Sequence, residues 1–158
     1  LAAMASAIAA DRNGLDKESA FLCGLLHDVG KIYILTRAKE YPDLLADQQQ
    51  FDALLADWHP KVGKSIVESW DFPTEVTQTL EPDEHMSEFS HEEATLVDVV
   101  YAGSTLLQHS ASEIDDETAA TVVAIPALVR LGIDVGDIAP LHAAYQEKLT
   151  AVREALTA

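Results

Sequence analysis

Lysine and arginine are scarce in this 158-residue chain: ten stand against 27 aspartates and glutamates, for a formal net charge of −17. A field of that sign repels a polyanion and argues against nucleic acid as a partner. The deficit is sharpest between Lys64 and Arg130, an interval with no base and fourteen acids. Cysteine is almost missing too. The single Cys23 rules out an intramolecular disulfide and fits a reducing compartment such as a bacterial cytoplasm. Long apolar runs are also lacking: the longest, Ala119 to Val129, contains Pro126, and Leu1 to Ala10 has no basic start. Neither a membrane span nor a secretion signal is expected. Strand-period alternation, internal repeats, glycine-rich phosphate loops and nucleophile elbows do not occur.

What remains is helical. With 48% hydrophobic residues, the chain is sized for one core and one domain over residues 1–158. Leu1 to Ala10 is an alanine-rich helix that Asp11 to Gly14 stops. Because the first residue already lies inside a helix, a fragment truncated on its N-terminal side is expected. Asp16 caps a second helix, expected to run to about Val29 and to be buried on nearly every side through Phe21, Leu22, Leu25 and Leu26, with Gly30 ending it. Ile32 to Glu40 forms a short helix, and Pro42 opens another that reaches about Ala56. Trp58-His59-Pro60 ends that helix and begins the next, with Val62, Ile66, Val67 and Trp70 on one side. Thr74 to about Leu80 follows. Ser90 and Glu93 read as a capping box for a central apolar helix through Leu107. The tail, residues 117–158, supplies a helix disturbed by Pro126 and a last amphipathic helix, both packing on the core.

The residues hardest to place in an apolar core are His27 and Asp28, in Leu25-Leu26-His27-Asp28-Val29-Gly30-Lys31. A buried imidazole and carboxylate cost several kcal/mol unless satisfied. A cation would satisfy them, and so would a His–Asp hydrogen bond joining two helices. Neighbouring helical residues point about 100° apart, so the two can share a metal only beyond a helix end, with other helices completing the shell. Lys31 would then stand where its ammonium could meet a phosphate.

The run Ala20 to Lys31 resembles the HD superfamily of metal-dependent phosphohydrolases. His59-Pro60-Lys61-Val62-Gly63 continuing to Trp70-Asp71-Phe72-Pro73 resembles its HD-related output domain branch, HDOD. The resemblance implies a compact all-α multi-helix HD-type bundle that brings His27, Asp28 and His59 to one pocket as metal ligands, with Lys31 as a phosphate contact. Manganese, iron, zinc or magnesium would suit such ligands. It also exposes departures. The first family histidine would fall at or before Leu1, and none of the six histidines precedes His27. Pro82 and Asp83 occupy the place of a His-His pair, with His85 just beyond it, and Gly103 stands where a last aspartate is usual. Asp98, about 140° around its helix from residue 103, does not replace it.

An incomplete site on an intact fold implies a non-catalytic signal-transduction output domain in a bacterial cytoplasm, acting on other signalling domains or proteins. The alternatives are a phosphohydrolase of nucleotides or cyclic dinucleotides completed by an upstream histidine, and a homodimerisation module in which His27 and Asp28 only bond each other.

Overall fold

The computed structural model describes residues 1–10, 12, 14–81, 93–109 and 115–157. The Ser90–Glu93 capping box, His85 and His91 fall wholly or partly outside them. Among the described residues there is no strand. Helix α1 spans Ala2–Ala9, α2 Lys17–Leu26, α3 Val29–Ala38 and α4 Gln48–Ser69, with a 3-10 turn Pro42–Leu45 before α4. Then come α5, Thr74–Thr77, a 3-10 turn Gln78–Leu80, and α6, Leu96–Gln108. The tail forms α7, Asp116–Val123, α8, Pro126–Arg130, and α9, Val135–Thr157. No described helix is long and apolar enough to cross a membrane.

Side-chain caps explain several helix starts. Asp16 accepts the Ser19 N–H at 2.7 Å, Asp47 that of Gln50 at 3.0 Å and Asp115 that of Thr118 at 2.8 Å. Each satisfies an orphan donor of the first turn. At α6 the reciprocal box is made by Thr95 and Asp98: the Thr95 N–H donates to the Asp98 carboxylate at 2.8 Å, and the Asp98 N–H reaches the Thr95 hydroxyl.

The core has two parts. Met4, Ile8, Val99, Leu106, Leu128 and Ile138 belong to the larger cluster, so α1 and the tail helices share one interior with α6. A smaller cluster joins Cys23, Val67, Val76, Leu80 and Val100 beneath α2 and α4. α6 contributes to both and lies centrally. Asp98, 2% exposed at its side chain, accepts the Arg130 Nε–H at 3.0 Å and ties α6 to α8. Removing one partner of such a buried pair costs about 3–5 kcal/mol, because the other charge is left uncompensated.

Several boundaries differ from expectation. α2 stops at Leu26, not Val29, and its inward face is carried by Ala20, Cys23 and Gly24 while Leu25 is 60% exposed. Gly30 does not end a helix; it lies buried inside α3. A Cβ there would stand 2.0 Å from the His59 carbonyl oxygen and 2.7 Å from the Gly63 nitrogen. Its role is close approach, the α3 and α4 backbones touching where no side chain fits. Pro42 starts only a 3-10 turn, and α4 begins at Gln48. Pro60 does not break α4, which continues through it. Trp70, placed with the inward stripe, is 52% exposed. Pro126 separates two helices rather than bending one: Ile125 is extended and Pro126 takes the first turn of α8.

Gly30→Ala must push α3 off α4. The expected result is a loss of about 1–3 kcal/mol, the usual cost of overpacking, read as a lower urea midpoint with an unchanged slope.

Candidate functional site

His27 and Asp28 occupy the corner between α2 and α3. Asp28 has φ −96° and ψ 8°, a bridge-region backbone that lets one helix end and the next begin without a linker. Both side chains therefore project beyond helix ends, which adjacent residues inside one helix could not do together. Asp28 precedes α3 but caps nothing with its side chain. Its Oδ1 instead accepts from His27 Nδ1–H at 3.2 Å and from the Lys31 ammonium, one turn on, at 2.8 Å.

His59 comes from the middle of α4. Pro60 has no N–H, so the Ala56 carbonyl four residues back lacks its helical partner. His59 Nδ1–H supplies a donor there, 3.1 Å from the Ala56 oxygen and 3.0 Å from that of Leu55. The proline thus fixes the imidazole tautomer: with Nδ1 carrying the proton, the Nε2 lone pair faces away from α4's own carbonyls. His27 in the tautomer that bonds Asp28 also keeps Nε2 free. The two ring centroids stand 6.0 Å apart with planes at 62°.

Ligand atoms of His27, Asp28 and His59 all lie within 4.8 Å of one another. At ligand distances of about 2.0–2.2 Å, donors around one cation sit roughly 3–4 Å apart, so the set fits a divalent ion after a small inward adjustment. The donors are mixed imidazole and carboxylate, which suits zinc, iron or manganese.

Electrostatics favour the liganding forms. Hydrogen bonds from His27 and then Lys31 hold the Asp28 carboxyl well below the usual carboxylate range, against partial burial. Burial chiefly, with the Lys31 and His27 charges adding, pushes the His59 imidazole down, while its bonds to Leu55 and Ala56 oppose. Near neutral pH Asp28 is anionic and His59 neutral.

The site opens on a cavity of about 610 Å³ whose lining includes His27, Lys31 and His59. Its far wall is α6 and α7, through Tyr101, Ser104, Thr105, Gln108, His109, Thr118 and Thr121. Gly103 is not part of it. A Cβ on Gly103 would meet Leu1 at 3.0 Å and Met4 at 3.5 Å, so this position faces α1 in the core and not the pocket. The position at which the resemblance implies a last aspartate thus lies outside this pocket, and the α6 residues that do face it bring no carboxylate. Asp98, as expected, is elsewhere, engaged by Arg130. The polar stripe 101-104-105-108 follows helical spacing and could have been read from the sequence, had the apolar residues of this helix not dominated its pattern.

Residues 1–86 match the family model of the HDOD domain. Among solved structures, the chain resembles a protein from Shewanella amazonensis SB2B provisionally named a metal-dependent phosphohydrolase, with a TM-score of 0.60 at 17% identity. The likeness covers 91% of this chain and 57% of that one, and it establishes an HD-like fold. No curated protein matches the sequence.

Two outcomes follow from this geometry. Pro60→Ala returns a backbone donor to the Ala56 carbonyl, and nitrogen NMR of His59 is expected to change from one tautomer to a mixture; a spectrum unchanged from wild type would contradict the proline's role. Asp28 should titrate below the model-peptide value of about 3.9. Because its folded pKa is lowered, the stability it contributes is present above that value and is lost as pH falls toward the folded one. Carboxyl ¹³C shifts would check this, and Lys31→Met should move the midpoint upward.

Proposed function

The chain belongs to the HDOD domain family of the HD phosphohydrolase superfamily, and from that premise we propose that it is a non-catalytic regulatory domain of signal transduction. The observation that carries this reading is the wall facing His27, Asp28 and His59. Phosphoester hydrolysis asks for an activated water and for cations that neutralise the phosphoryl oxygens. Here Tyr101, Ser104, Thr105 and Gln108 face the three candidate ligands with no carboxylate among them, and the Lys31 ammonium is engaged by Asp28.

A divalent cation held by His27, Asp28 and His59 would supply Lewis-acid chemistry. These residues would bind it through one carboxylate and two imidazoles, Pro60 orienting His59 and Lys31 competing for Asp28. That same cluster favours a second reading, a phosphohydrolase of nucleotides or cyclic dinucleotides whose remaining ligand comes from a segment preceding Leu1.

The regulatory reading also needs a surface for other signalling domains, or for a second copy of the chain. Leu25, Ile32, Tyr33, Leu35 and Trp58 are 45–63% exposed on α2, α3 and α4. They suit such docking, since exposed apolar residues gathered on neighbouring elements mark interaction sites. The net charge of −17 keeps nucleic acid out of the partner set, and a bacterial cytoplasm fits the single buried Cys23.

The deciding experiment incubates the chain with manganese, iron, zinc or magnesium and a panel of phosphomonoesters, phosphodiesters and cyclic dinucleotides. No release above that of His27→Ala is expected. Metal-dependent turnover that the His27→Ala change abolishes would replace the regulatory reading with the enzymatic one.

A further inference from the structure

The pocket beside His27 and His59 differs in charge from the rest of the molecule. Among the described residues, none that lines its 610 Å³ is aspartate or glutamate, although the chain carries 27 of them. Its lining cation, Lys31, sits 2.8 Å from the Asp28 carboxylate and is compensated there. The described lining is therefore close to electrically neutral inside a protein of net charge −17, whose field opposes the entry of any anion.

Hydrogen-bonding groups are plentiful in the same wall. The Thr105 hydroxyl donates to the Tyr101 carbonyl at 3.0 Å and that of Thr121 to the Glu117 carbonyl at 2.9 Å, so each keeps lone pairs with which to accept. The Gln108 amide and the Ser104 hydroxyl line the cavity with no hydrogen bond among the described residues; an amide offers two donors and an acceptor, a hydroxyl one donor and two acceptors. Pro60, Leu80, Val122 and Ile125 add apolar surface to the same cavity. Donors and acceptors in alternation beside apolar surface match a ring bearing several hydroxyls, and the volume falls in the range of small-molecule sites.

We propose that this pocket binds an uncharged, hydroxyl-rich small molecule, a nucleoside or free sugar, through Ser104, Thr105, Gln108 and Thr121, in preference to its phosphorylated counterpart. The inference deepens the regulatory reading by naming the chemistry of the signal, and it rests on that reading. A phosphate group entering the pocket would find its cation already paired and would lose hydration without full compensation.

Calorimetry in the presence of a chelator tests it, with adenosine, ribose and glucose against AMP, ribose 5-phosphate and glucose 6-phosphate. At least one neutral probe is expected to bind with a dissociation constant below 1 mM, and its phosphorylated partner at least tenfold more weakly. Gln108 and Thr121 are exposed, so Gln108→Leu and Thr121→Val should keep the melting temperature while weakening the bound probe about threefold or more. Tighter binding of the phosphorylated partners, no neutral probe binding below 1 mM, or unaltered affinity in both variants would each overturn the proposal. The chelator separates this result from the turnover assay, which can succeed or fail without altering the order of affinities.

Discussion

The contact of α3 with α4 is the constraint on which the site depends. At Gly30 the two backbones meet with no room for a single carbon, and the atom a Cβ would strike is the carbonyl oxygen of His59. The glycine that allows the crossing therefore also sets how far the α2–α3 corner stands from the α4 imidazole. Packing at that point is a matter of steric exclusion, which changes abruptly with distance where attraction changes slowly. A site held by three side chains from two directions gains its precision from this contact more than from the hydrogen bonds among its members.

Charge is arranged by the same economy. Asp28 takes one hydrogen bond from its sequence neighbour and one ion pair from a residue a turn later; the electrostatic balance is thus local, complete within α3 and its N-terminal corner. Asp98 and Arg130 achieve the balance over a longer range, joining a helix near the centre to one in the tail. The first pair remains half exposed and is free to exchange partners; the second is buried, and the fold depends on it.

Much of this was legible in the residues. The all-helical class and the cap at Asp16 followed from the residue pattern, and the gathering of His27, Asp28 and His59 from the family resemblance. What escaped was the behaviour of Gly30 and Pro60. Each is a residue that usually ends a helix, and each sits inside one here because a partner from another element, or the residue next to it, makes good what it lacks. Propensity sees the chain one neighbour at a time, whereas the reason for Gly30 lies on α4. The register of α6 escaped for a related cause: an apolar helix touched on most sides gives little periodic contrast, so which face meets the cavity is decided by packing.

α1 shares its interior with the far end of the chain. Arg12, just after it, donates to the Leu131 carbonyl at 2.7 Å, and Lys148 of α9 donates to the Ser6 hydroxyl at 2.7 Å across 142 positions. Met4 and Ile8 are fully buried in the cluster completed by Leu128 and Ile138. As this segment emerges from a ribosome, its apolar helix precedes the residues that will cover it by well over a hundred. At roughly 5–20 residues per second, the part of its buried face that α2 does not cover waits several seconds or more for the tail. The fold thus closes the interior around α1 in two steps, first with α2 and then with the tail, and in between the uncovered part of that helix is a natural client of a chaperone.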